Sequence, residues 1–294
     1  MSLATRFSQQ LSDLFAYLLV PGLAVITPAS LSRWVLRQVS GWRWMMAAHA
    51  DAAFRAAEEF VDIDDEQQWK SRWKQVELLD VRDLYMMVFG RSRSVLYEID
   101  CDVPLETVRD RVMIGMHWGP SISILKMLDV AGLGPAFPYR PPEKQVLRIR
   151  PFFYLFSRMA ARYMVKVMQE RAVRVGGASP KLRAMLEQPG SIVVLMDAPP
   201  MQGRPSEDVP VLGRNARFNT GFPASLCEKR KQYFFYAISL SPGDTTRKKL
   251  ELKGPFSTEN TGAFLRNYAG FLNDHLATDS AQWRIWHASQ QFWQ

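Results

Sequence analysis

Residues 112–134 read VMIGMHWGPSISILKMLDVAGLG, and the rest of the chain is read outward from this run. Val112–Met116 is short, apolar and unbroken, the pattern of a strand buried on both faces. His117 stands at its C-terminal end. Trp118-Gly119-Pro120 follow as a turn, and the next residues carry helical spacing, with Pro120 near the first turn and Gly132 past the last. A strand, a histidine in the turn and a helix make one unit of an α/β sheet with the imidazole at the crevice. Of the four histidines, His49, His117, His275 and His287, only His117 has this setting. The start of a helix offers unpaired backbone N–H groups that can hold a developing oxyanion while the imidazole takes a proton. A structural histidine at a strand end fits the same pattern.

On the C-terminal side, strand-like runs recur at 136–139, 172–175, 191–196, 233–240 and 250–253, separated by helical stretches at 145–170, 179–188, 220–231 and 259–277. On the N-terminal side, residues 45–94 read as helical up to Gly90, and residues 94–99 as a further strand. This alternation predicts an α/β fold, a mainly parallel central sheet flanked by helices. Gly176-Gly177 is an isolated turn signal, and there is no repeat or low-complexity linker.

Residues 14–32 carry no charge, but only Phe15–Ile26 is strongly apolar, and Pro21, Gly22 and Pro28 interrupt it. Such a helix covers about 18 Å against a hydrocarbon core of about 30 Å, which predicts an interfacial or re-entrant anchor before a full span. Arg33, Arg37 and Arg43 then interleave with Trp34, Trp42 and Trp44, a pairing suited either to a bilayer interface or to a surface helix with inward tryptophans. Residues 1–44 are accordingly expected to form an apolar, interfacial anchor and residues 45–294 the α/β domain.

The formal net charge of +8 suits an anionic partner. Lys144, Arg148, Arg150, Arg158, Arg162 and Lys166 lie among Phe152, Phe153, Tyr154 and Phe156, and no carboxylate separates Lys144 from Lys166. That composition fits an anionic lipid surface or an acidic carrier protein; no nucleic-acid motif accompanies it. Cys101 and Cys227 lack any C-x-x-C spacing, which argues for a reducing, cytoplasmic compartment. There is no G-x-S-x-G elbow, no phosphate-binding glycine loop and no histidine pair at zinc spacing.

Five blocks in order, GMHWGPSISILKML, PYRPPEK, SIVVLMDAPPMQG, VPVLGRNARFNTGFPASL and QWRIWHASQQF, resemble successive blocks of the lauroyl/myristoyl lipid A acyltransferases, a family within the lysophospholipid acyltransferase superfamily. The resemblance implies an acyltransferase-like fold and transfer of an acyl group from a thioester of acyl carrier protein or coenzyme A to a hydroxyl or amine. It also implies a role in lipid biosynthesis, a seat on the cytoplasmic face of a bacterial inner membrane, and no metal or tightly bound cofactor. His117 matches the family's catalytic histidine. Arg140 of Pro138-Tyr139-Arg140-Pro141 matches an arginine that lines the substrate cleft, and Asn219 and Thr220 fall in a turn that opens a helix beside it.

One departure is plain. The family places Asp or Glu after four intervening residues, and here that position is Ile122. On the resemblance, Ile122→Glu would return the missing acid. Asp197, at the end of the 191–196 strand, is the candidate replacement, since adjacent parallel strands bring their C-terminal ends to one edge. A turn-forming aspartate before Ala198-Pro199-Pro200 is the alternative. Asp129 lies too far along the following helix. The missing acid also leaves open a second reading, an inactive or altered relative that binds lipid or acyl chains at the membrane.

Overall fold

The N-terminal quarter is helical because its apolar residues recur on one face at a time. The computed structural model describes residues 3–175, 178–200, 203–241, 246–257 and 260–293. The Gly176-Gly177 turn signal and the Met201-Gln202 end of the third block lie outside them. Helix α1 (Leu3–Leu14) runs through a π-helical turn, Phe15–Leu19, into α2 (Val20–Ile26), and α3 (Ala29–Gly41) and α4 (Ala47–Ala57) follow. Segment 6–26 is long and apolar enough to cross a membrane. Its inner face, Ala16, Tyr17, Val20 and Ala24, is buried on the body, whereas Leu18, Leu19, Leu23 and Ile26 face outward.

The expected continuous helix over 45–94 is two helices, α4 and the long α5 (Glu66–Val88), parted by the polar 58–65 segment. Asp65 caps α5 by accepting from the Gln68 N–H at 2.8 Å. After Gly90, with φ +82°, the expected strand over 94–99 is instead a helix, α6 (Ser92–Tyr97), and only β1 (Ile99–Cys101) is extended. Val95 explains the reversal: it packs back on Met86 and Met87 of α5, a contact that a helical turn supplies and sequence spacing does not reveal.

Then come β2 (Val112–Gly115), α7 (Ile124–Val130), β3 (Phe137–Tyr139), α8 (Lys144–Ile149), α9 (Pro151–Met168), β4 (Ala172–Arg174), α10 (Ala178–Met185) and β5 (Ile192–Leu195). Pro151 divides the helical stretch expected over 145–170, because it has no N–H to continue α8 but fits the first position of α9. Last come β6 (Ser206–Val211), β7 (Arg214–Asn219), α11 (Gly221–Glu228), β8 (Tyr233–Leu240), β9 (Lys248–Phe256) and α12 (Thr261–Asp279), before 3-10 turns at the C-terminus.

The central sheet has the order β1-β9-β8-β2-β5. The β1–β9, β8–β2 and β2–β5 pairs are parallel and the β8–β9 pair is antiparallel, so the sheet is mixed. The connection 241–247 is too short for the crossover that a parallel partner of β8 would need. Strands β3 and β4 pair in a separate parallel ribbon, and β6 and β7 form a hairpin that the sequence reading did not anticipate. Alternate residues of β2 serve opposite layers. Val112 and Ile114 pack in the core that includes Phe264, Tyr268 and Phe271 of α12, while Met113 packs with Ile124, Leu125 and Leu128 on the α7 side. Burial on both faces is what the unbroken apolar run demanded.

Candidate active site

Gly115 of β2 stands opposite Leu195 of β5. His117 and Asp197 each lie two residues beyond that pair, so parallel register delivers them to one edge at one level. Imidazole Nδ1 is 2.8 Å from Oδ1 of Asp197. Oδ2 accepts from the backbone N–H of His117 at 2.6 Å and from the indole Nε1–H of Trp283 at 2.8 Å. The Asp197 side chain is fully buried and that of His117 is 37% exposed. Three donors replace the water a buried carboxylate loses. With Asp197 on Nδ1, the proton sits there and Nε2 is left as the basic nitrogen.

The turn after His117 is built by close approach. Gly119 has φ +54°, and a Cβ there would meet the Ile238 carbonyl oxygen at 1.9 Å. Trp118 and Trp283 form an antiparallel bridge, with Gly119 N–H donating to the Gln282 carbonyl at 2.9 Å and Arg284 N–H to the His117 carbonyl at 2.8 Å. The Trp118 indole donates to Ser239 Oγ at 2.9 Å.

This tight packing overturns one expectation. The backbone N–H groups of His117, Trp118, Gly119, Ser121 and Ile122 donate to Asp197, Met116, Gln282, Gly119 and Asp80 respectively, and Pro120 has none. The turn's donors from His117 to Ile122 are therefore already used. At the position of the missing acid, Asp80 Oδ1 accepts the Ile122 N–H at 3.0 Å, while its Oδ2 pairs with Arg284 at 2.7 Å. The Ile122 side chain packs with Met86, Met87 and Val95, outside the residues that line the cleft.

A cleft of about 750 Å³ opens at His117, walled by Phe137, Tyr139, Met164, Leu195 and Phe222, with Arg140 and Arg204 in its lining and no carboxylate among the described residues there. Arg140 is exposed and has no ion-pair partner among the described residues. Asn219 lines the cleft, but its amide donates to the carbonyls of Ala198 at 3.0 Å and Pro199 at 3.4 Å, so it holds the loop after Asp197 rather than offering a free donor. Thr220 is outside the cleft lining; its N–H donates to the Pro205 carbonyl and its carbonyl accepts from Ala224. A larger cavity, about 970 Å³, is lined by residues of α3, segment 61–75 and residues 276–281, with no histidine among them.

Asp129 pairs with Lys126 at 2.6 Å, away from His117. His275 is buried, bonded through Nδ1 to the Phe271 carbonyl and edge-on to Trp118. His49 meets Arg150 at 2.7 Å, and burial first, then that guanidinium, lowers its pKa from 6.5. His287, in the C-terminal turn, has its pKa lowered by desolvation, partly opposed by Glu77 and assisted by His117. Trp283 and Arg204 are site residues that the sequence alone does not mark. The indole is one of several aromatics in the last block, and nothing in the spacing tells which one points at a carboxylate. No family model matches this chain, and a search of curated proteins finds no match.

Proposed function

We propose that the chain is a membrane-associated acyltransferase of the kind its sequence resembles, moving an acyl group from the thioester of acyl carrier protein or coenzyme A to a hydroxyl or amine in lipid biosynthesis. One observation carries the reading: the Asp197 carboxylate on Nδ1 of His117, at the head of an apolar cleft edged by arginines. The parallel strands β8, β2 and β5, with the histidine at the end of β2, are the acyltransferase-like part of the sheet.

In this reading Nε2 of His117 takes the proton of the acceptor as its oxygen or nitrogen attacks the thioester carbonyl. Asp197 stabilises the imidazolium so formed. The tetrahedral oxyanion needs a donor, and with the turn's N–H groups occupied, Arg140 and Arg204 are the cations of the cleft placed for it or for a phosphate of the donor. Collapse breaks the C–S bond, and the thiolate leaves with the imidazolium proton. The apolar walls receive the acyl chain. No step calls for a metal or a tightly bound cofactor.

The second reading, a lipid-binding relative without turnover, was motivated by Ile122. The Asp197 contact supplies what Ile122 lacks and favours catalysis. Intact-mass detection of acyl loss from a panel of acyl carrier protein and coenzyme A thioesters, with acceptor-containing extract present, separates the two. Loss with the wild type and none with His117→Ala is expected. Equal loss with both removes His117 from the mechanism, and no loss with either favours the binding relative.

A further inference from the structure

Asp197 is held from two sides, and only one of them is the histidine. The indole Nε1–H of Trp283 donates to Oδ2 at 2.8 Å, and the His117 N–H donates to the same oxygen at 2.6 Å, so Oδ1 is the oxygen left for the imidazole. Trp283 cannot easily drift from this pose. It is 1% exposed, its ring stands edge-on to Trp286 with centroids 4.7 Å apart, and residues 282–284 are stitched to 117–119 by the two backbone bonds described above. The same segment extends to α5 through Arg284, whose guanidinium pairs with Glu77 and Asp80. Asp80 in turn holds the Ile122 N–H at the start of the helix after His117.

We propose that Trp283 is a positioning residue for the catalytic pair. Its indole N–H, together with the His117 N–H, holds Oδ2 and keeps Oδ1 on the imidazole, and so tunes the proton affinity of His117. The proposal rests on His117 being the base of the proposed reaction, and it makes the C-terminal segment part of the site. A hydrogen bond to a buried carboxylate draws charge from the oxygen facing the imidazole, so losing it favours imidazolium.

The groups that bear on the pair come from several elements: His287 from the C-terminal turn, Tyr236 of β8 and Tyr268 of α12 near Asp197, and Arg140 and Arg204 in the cleft. None is changed by Trp283→Phe, which keeps an aromatic ring and deletes the donor. The test is nitrogen NMR of the histidine imidazoles across pH in wild type and Trp283→Phe, with transfer rates measured beside it. In wild type His117 should show a protonated Nδ1 and a bare Nε2. In Trp283→Phe the midpoint of His117 should rise by about half a unit or more with the proton still on Nδ1 in the neutral form, and kcat should fall by about tenfold with KM unchanged.

An unchanged midpoint in a folded Trp283→Phe protein overturns the proposal and returns Trp283 to the core. If that variant does not fold, the wild-type indole N–H resonances decide: one must shift in step with His117, and none moving at that midpoint overturns it equally. The imidazole readout needs no substrate. A His117→Ala enzyme with full transfer activity would sink the proposed reaction while leaving the Trp283 linkage to stand or fall by NMR.

Discussion

Ile122 keeps its backbone on Asp80 and its side chain on Met86, Met87 and Val95, so a side chain placed there grows into an apolar cluster and away from the imidazole. The resemblance by itself suggests that Ile122→Glu would return the missing acid; the packing leads to the opposite expectation. An unpaired carboxylate in such a cluster costs about 2 kcal/mol or more. Ile122→Glu should therefore melt several degrees lower and give no gain in transfer rate, a pair of results read from a thermal melt and the thioester assay. A faster Ile122→Glu enzyme would mean that the helix start can turn its side chain to His117, and Asp197 would lose its claim as the replacement. The reason Asp197 reaches His117 is register. Residues two past a paired Gly115 and Leu195 meet without help from any helix.

Among elements, the N-terminal helical run is the one whose length and docking point different ways. By length the 6–26 segment can cross a bilayer, yet it lies against the body through polar contacts that a spanning helix would not carry. Asp13, almost fully buried, forms a two-bonded pair with Arg150; the Tyr85 hydroxyl donates to the Tyr17 carbonyl at 2.5 Å; Arg91 reaches the carbonyl of Val25. These contacts suit the proposed interfacial seat, with Leu18, Leu23 and Ile26 outward. Arg150 is also bonded to His49, which can accept from the guanidinium only while neutral. The His49 pKa is lowered from 6.5 in the fold, so its contribution is fully present above that value and is lost as pH falls through the lowered one. Hydrogen exchange of α1 and α2, corrected for intrinsic rates, should thus show less protection at about pH 5.5 than at about pH 7.5. His49→Gln should flatten the difference. Equal protection at both pH values in the wild type would mean that His49 does not hold this helix.

At the scale of the whole molecule, what sequence revealed and what it hid divide along the range of the interactions. The β2 strand, the turn at His117 and the stop at Gly90 follow from neighbours in the chain, and the meeting of His117 with Asp197 needs only the rule that parallel strands end on one edge. The helical turn at Ser92–Tyr97, the committed amide of Asn219, the occupied N–H groups of the turn and the direction of the Trp283 indole all depend on residues far away in sequence. Arg150 belongs with these. Of the six cations between Lys144 and Lys166 it alone turns inward to Asp13, and the other five are exposed without an ion-pair partner among the described residues. Leu147, Ile149, Leu155 and Val165 are exposed among those five. These residues lie on α8 and α9; α9 packs beside the N-terminal run through Tyr17 on Phe153 and Phe156, and it lends Met164 to the cleft at His117. Cations alternating with bare apolar side chains, next to an apolar helix face and the cleft proposed to take acyl chains, suit an anionic bilayer better than an acidic protein, whose surface offers little to cover Ile149 at 64% exposure. Each cation near such a surface is worth about 1 kcal/mol, so reversing two of them should weaken partition by well over tenfold. Arg158→Glu with Arg162→Glu should accordingly sediment poorly with phosphatidylglycerol vesicles at low salt, while wild type sediments well and releases as salt rises. On phosphatidylcholine vesicles, where only the apolar face contributes, the two proteins should behave alike. A doubly reversed protein that still binds the anionic vesicles as wild type does would remove α9 from the membrane face and leave its cations to an acidic donor protein.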